Sequence, residues 1–158
     1  INEVMSASNG QIDPLLVFAL MQQESKCGAD PNTYTGSGLG LMQIEYAVHC
    51  KEETKEYLKY GFSSYNECVE TLRDPNQFAR NIEIGLQILI GYHNQYSSRS
   101  KYISAVDKYC DDSSYKEKYL SYVKWDIALR AYNGFSCTKG DQNYVEHVTT
   151  WYQKFLGV

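Results

Sequence analysis

The sequence predicts a mainly α-helical, compact single domain with at most a small β-hairpin, and three observations carry that reading. Asp-Pro pairs at 13–14 and 74–75 each open a run whose apolar residues recur every three or four positions, as one face of a helix requires. Sustained period-two alternation is hard to find, which argues against a large sheet. Residues with β-turn chemistry concentrate in one stretch, GADPNTYTGSGLG at 28–40, where a small hairpin or an irregular loop fits.

Each element follows in order. Asp13 is an N-cap and Pro14 a first helical residue before LLVFALMQQES, with Gly28 as the stop, giving a helix of about 14 residues. Its first half is apolar nearly all round and therefore buried. Short helices fit 40–50, 52–60 and 101–110. After Asp74-Pro75, the spacing of Phe78, Ile82, Leu86 and Leu89 predicts a long amphipathic helix reaching about Tyr96. A further helix over 114–133 runs through Tyr119, Val123 and Ile127 and stops at Asn133-Gly134. Asp141 opens the last helix, with Tyr144, Val148, Trp151 and Phe155 on one face.

Composition narrows the function classes. The 158 residues suit one domain with a real core, expected to act as a monomer. The net charge is −4, and Lys and Arg are scattered without a cluster, so neither nucleic acid nor an anionic membrane is an expected partner. No apolar run approaches the roughly 18 residues of a membrane span. The chain begins at Ile1 without a secretory leader, which reads as a processed product or an excised domain. Five cysteines permit two disulfides and a free thiol or five buried thiols, and the spacing leaves both open. Without CxxC or HxxxH pairs no metal site is expected, and no cofactor is called for. Fifteen tyrosines suit either a groove that stacks on sugars or ordinary helix packing.

The candidate chemistry starts at Glu24. It lies four residues after Leu20 and seven after Val17, which puts it on the apolar face of the first helix. Burial there disfavours an ionised carboxylate, as an acid that must hold a proton near neutral pH requires. Periodicity alone equally allows a frayed helix end with Glu24 in solvent. Just downstream, TGSGLGLMQI removes side chains at Gly36, Gly38 and Gly40, where positive φ or close approach is needed. A phosphate cradle is rejected, because no strand precedes the glycines and no Lys-Ser or Lys-Thr follows them. The remaining reading is the wall of a groove for an uncharged polymer.

Four motifs decide between these. Glu24-Ser25, Gly40-Leu41-Met42-Gln43-Ile44, Asn81-Ile82 with Gly85, and Ala131-Tyr132-Asn133 resemble, in order and spacing, the soluble lytic transglycosylase and goose-type lysozyme family. The resemblance spans about residues 12 to 155. It implies a lysozyme-like α+β domain that cleaves the β-1,4 bond between N-acetylmuramic acid and N-acetylglucosamine in peptidoglycan glycan strands, outside the cell or at its wall. It further implies that Glu24 is the single acid/base, and that Thr33, Thr35, Gly40, Met42, Gln43, Tyr132 and Asn133 bind substrate. Asn81 is expected to brace helix and loop behind the site, and Glu83 to be a solvated charge.

Departures from the family pattern matter as well. Lytic transglycosylases commonly continue the Gly-Leu-Met-Gln motif with a proline-containing stretch, whereas this chain has Glu45, a possible second acid/base. Glu45 facing Glu24 across a water would give hydrolysis instead of a 1,6-anhydro product. Transglycosylation is the favoured reading. Muramidase hydrolysis and a catalytically silent wall-binding module are the alternatives. Gly134-Phe135 and Ile88 also depart from the pattern and bear on subsite preference.

Overall fold

Helix α1 (Pro14–Ser25) starts where the Asp-Pro pair puts it: the Asp13 carboxylate accepts from the Leu15 N–H at 2.8 Å, and Pro14 needs no partner at the first helical position. The computed structural model describes Val4, Ser6 and residues 10–158. It contains two compact units, Ile1–Leu86 with Val148–Val158, and Gln87–His147.

In the first unit α1 is followed by β1 (Gly38–Leu39), β2 (Ile44–Glu45), α2 (Tyr46–His49), α3 (Tyr65–Arg73) and the first half of α4 (Phe78–Gln95). The strands pair antiparallel, Gly38 with Glu45 and Leu39 with Ile44. Val17, Leu20, Met21, Leu39, Met42, Ile44, Leu72, Ile82, Ile84 and Leu86 are buried. Each such side chain contributes about 1.5–3 kcal/mol. From the chain's other end, the Tyr152 hydroxyl donates to the α1 cap Asp13 at 2.7 Å.

The second unit holds the rest of α4, then α5 (Arg99–Tyr109), α6 (Ser113–Ser121), α7 (Trp125–Asn133) and the start of α8 (Tyr144–Leu156). Its core is aromatic: Tyr102, Tyr119, Tyr144 and Phe135 are buried, and the Phe135 ring stands edge-on to Tyr96 and Tyr102. Helix packing therefore takes several of the tyrosines. A disulfide lies in each unit, Cys50–Cys68 and Cys110–Cys137, while Cys27 is free. Closing loops of 18 and 27 residues stabilises by about 3 kcal/mol each in the chain-entropy account.

The described residues are mainly helical with one two-stranded sheet, as predicted. Several boundaries differ. The single helix predicted over 114–133 is two, broken at Lys124 with φ 52°. The break turns Tyr122 inward, where its hydroxyl reaches Glu146 at 2.6 Å, and leaves Val123 59% exposed. Of 40–50 only Tyr46–His49 is helical, because Gly40 and Gln43 have φ of 75° and 47°. Of 52–60 only Glu56–Tyr60 forms a 3₁₀ turn. Helix α3 was not foreseen, although Ser64 and Glu67 have capping-box spacing; the Ser64 hydroxyl accepts from the Glu67 N–H at 3.1 Å.

One half-buried histidine makes this fold pH-sensitive. His49 ends α2 with Nδ1 2.9 Å from the Tyr60 hydroxyl. Burial lowers its pKa to about 4, with the Glu56 carboxylate opposing and Lys59 reinforcing. The folded state thus binds this proton less readily than the unfolded state. The stability involved is present above the unfolded pKa of about 6.5 and is lost as pH falls toward 4. His49→Gln should remove about 2–3 kcal/mol of the drop in unfolding free energy between pH 7 and 4.5, measured by urea titration at each pH.

Candidate active site

Several of the residues singled out in the first unit meet at the turn between β1 and β2, which is held by its own hydrogen bonds and by others from outside it. Asn81 on α4 is 1% exposed. Its Nδ2 donates to the Leu39 carbonyl and its Oδ1 accepts from the Met42 N–H, both at 2.9 Å. Ser25, at the end of α1, is equally buried; its hydroxyl donates to the Leu41 carbonyl at 2.9 Å and accepts from the Gly28 N–H at 3.1 Å. The Gly40 N–H donates to the Thr33 carbonyl at 2.6 Å. The Gln43 side-chain amide donates to the Thr33 and Gly40 carbonyls, both at 2.9 Å.

Glycine is required here because the chain itself comes close. A Cβ on Gly40 would lie 2.1 Å from Asn81 Nδ2, one on Gly38 would lie 2.8 Å from the Gln43 carbonyl oxygen, and one on Gly85 would lie 2.7 Å from Met42 Cβ. The expected groove wall is thus, at Gly38 and Gly40, a contact within the protein.

Glu24 directly precedes Ser25, whose hydroxyl reaches the turn at the Leu41 carbonyl. Val17, Leu20 and Met21 on its helix are buried, and Glu24 itself is partly buried. Immediately after it, Lys26 and Cys27 adopt φ of 52° and 54°, followed by Gly28 at 91°. With Gln43, three of the five described non-glycine residues at positive φ lie between Glu24 and Gln43. Such conformations cost about 1–3 kcal/mol each and gather where a site demands them.

In the second unit α7 ends at Tyr132 and Asn133, both partly buried. The Asn133 Oδ1 accepts from Arg130 Nη2 at 2.5 Å and from the Asp141 N–H at 3.2 Å. Arg130 is fully buried; it also donates to the Gly134 and Asp141 carbonyls, each at 2.8 Å, and its guanidinium lies 4.7 Å from the Tyr119 ring centre. The loop after Tyr132 is therefore held by Arg130, Asn133 and Tyr119 and by the Cys110–Cys137 disulfide. Among the described residues no group of three or more His, Cys, Asp or Glu is arranged to hold a metal ion.

Comparison with family models gives a match to the Transglycosylase SLT domain over residues 3–153. The chain belongs to the Transglycosylase SLT domain family. No curated protein and no solved structure gives a significant match.

Within this SLT domain the residues named from sequence fall into distinct environments. Thr33 is 1% exposed with its hydroxyl donating to the Asp30 carbonyl at 2.5 Å, so it serves the turn through its own carbonyl. Met42 is buried against Gly85, and Gly40 is buried under Asn81. Gln43 is partly buried with its amide nitrogen engaged by the Thr33 and Gly40 carbonyls. Thr35 and Glu45 are exposed. Asn81 has the bracing role read from the sequence. Ser25 and Gly85 complete the brace although neither was assigned a task. The signal for Gly85 was its place four residues after Asn81, on the same helix face.

Removing the brace should be costly. Asn81→Ala strands the Leu39 carbonyl and the Met42 N–H and is expected to lower the unfolding free energy by about 2–5 kcal/mol in urea titration. Gly40→Ala should cost at least as much, because the same carboxamide has nowhere to go.

Proposed function

We propose that this SLT domain cleaves the β-1,4 bond between N-acetylmuramic acid and N-acetylglucosamine in peptidoglycan by lytic transglycosylation, with Glu24 as its single acid/base. The observation that carries this reading is the joint one: the chain is a family member, and its Glu24 lies partly withdrawn from water at the strained end of a capped, buried helix whose next residue, Ser25, bonds the turn.

In the proposed reaction the Glu24 carboxylic acid gives its proton to the glycosidic oxygen as the C1–O bond breaks. The substrate's own 2-acetamido group supports the positive charge that develops at C1. The Glu24 carboxylate then takes the proton of the muramic acid 6-hydroxyl, whose oxygen closes on C1 to form the 1,6-anhydro ring. Glu24 ends protonated, ready for another bond, and no water is consumed. One acid/base acting in both directions suffices, provided neutral donors orient the acetamido group. Thr35 and Gln43 are the residues proposed for that work, and Tyr132 is proposed to bind substrate. Asn133 is proposed to act by holding the loop after Tyr132, since its oxygen already accepts from Arg130 and Asp141.

Hydrolysis is the second reading, favoured by one observation: Glu45 on β2 is exposed, where a base acting on water would have access to it. The disulfides support an oxidising location, periplasmic or outside the cell at the wall. No helix among the described residues is long and apolar enough to cross a membrane. The whole chain is proposed to work as one lysozyme-like domain.

Purified cell walls test the assignment. Glu24→Gln should slow turbidity loss about 10²–10⁴-fold with an unchanged melting temperature; retained lysis would remove Glu24 from its role. Mass spectrometry of the fragments released by the parent chain should find 1,6-anhydromuramic ends. Reducing ends lost in Glu45→Gln would establish hydrolysis instead, and no release by any form would leave a silent binding module.

A further inference from the structure

The second unit carries a surface groove of about 390 Å³ that the proposed chemistry does not use. Gln95 and Tyr96 at the end of α4 form one side, and Lys101, Ser104, Lys108 and Tyr109 on α5 form the other. The two walls are packed differently. Tyr96 is fixed edge-on against Phe135, with ring centres 5.2 Å apart, and against Tyr102 at 6.3 Å. Tyr109 is 55% exposed and offers its ring to solvent, with Lys108 Nζ 4.9 Å from the ring centre.

The two lysines put positive charge on the groove of an acidic chain. Its net charge is −4, and Lys26, Lys59, Lys116 and Lys118 are each paired with a carboxylate. Lys101 and Lys108 have no carboxylate partner among the described residues. Asp107, the neighbour that would neutralise them, is turned to Lys116 at 2.7 Å. The groove is thus a local positive patch, rimmed by hydroxyl and amide groups, on an acidic protein.

Spacing identifies what such a patch would take. Seven residues along a helix separate the two ammonium stems by about 10 Å. A single phosphate or sulfate needs donors that converge on one point, whereas two cations two helical turns apart suit two separate anions. An extended peptide with carboxylates three residues apart spans about 10 Å. The glycan backbone of peptidoglycan is neutral, so the carboxylates of a strand lie on its peptide stems. We propose that this groove binds the acidic stem peptide of a peptidoglycan strand, lysines on carboxylates and Tyr109 against the chain. The inference rests on the proposed substrate, and it gives the domain a grip on the strand apart from the bond it cleaves.

The test uses the full chain and two soluble probes, the disaccharide-tetrapeptide fragment of peptidoglycan and the same disaccharide without peptide. By calorimetry the parent chain should bind the peptide-bearing probe about tenfold tighter, and the preference should fall as salt rises. Lys101→Gln/Lys108→Gln, both on the exposed side of α5, should abolish the preference, keep the melting temperature, and leave cleavage of peptide-free glycan strands unchanged. Amide shifts caused by the peptide-bearing probe should centre on Tyr96, Ser104 and Tyr109. Equal binding by parent and variant would overturn the assignment, as would displacement of the probe by inorganic phosphate at matched ionic strength. Binding does not require turnover, so a lysine-dependent preference in a chain that fails to lyse walls would support the groove while removing the proposed chemistry. Full lysis without lysine dependence would do the reverse.

Discussion

The carboxamide of Asn81 bridging the Leu39 carbonyl and the Met42 N–H is the contact on which the arrangement of the first unit depends. A turn that places its donors and acceptors in a protein interior loses water from every one of them, at about 1–3 kcal/mol for each group left unmatched. Here the matching groups come from three separate places: α4 through Asn81, the end of α1 through Ser25, and the 28–37 loop through the Thr33 carbonyl. The turn is fixed because removing any one of the three would leave a buried polar group alone. Gly38, Gly40 and Gly85 follow from this arrangement, since side chains there would occupy the space that Gln43, Asn81 and Met42 fill.

The second unit solves the same problem with a charge. Arg130 is fully buried, and its bonds go to two carbonyls, the Asn133 amide oxygen and the Tyr119 hydroxyl, with the Tyr119 ring beneath it. Desolvating a guanidinium costs several kcal/mol, which neutral acceptors repay only when geometry satisfies nearly all of its donors. The benefit is a defined loop after Tyr132. Both units therefore place long-range polar bonds next to motif residues and leave the larger helices to apolar packing.

This division explains what was legible in the sequence. Helices α1, α4 and α8 announce themselves through periodicity and caps, because their stability comes from a face meeting a core. The motifs showed which segments matter. Why they matter was less visible: glycine spacing signals close approach without naming what approaches, and a sugar and Asn81 predict the same pattern. The break at Lys124 was hidden because Tyr119, Val123 and Ile127 keep helical spacing although Val123 faces solvent. Disulfide pairing depends on which loops meet, and spacing holds no information on that.

The two acidic residues singled out, Glu24 and Glu45, differ in the one property that separates their proposed tasks. Glu24 ends a helix whose other face is core, and bulk water has restricted access to it; Glu45 stands on a two-residue strand in solvent. A group that must pass a proton to a leaving oxygen and then reclaim one from a hydroxyl gains from a shielded position, where competing water is scarce. A group that activates water gains from the opposite. In the proposed reaction, with the sugar held and water kept away, the intramolecular hydroxyl is the nearest acceptor, and closure to the anhydro ring follows from proximity. Under the proposed chemistry the choice between the two products is a matter of water access at one carboxylate, a property of the helix end as much as of the acid itself.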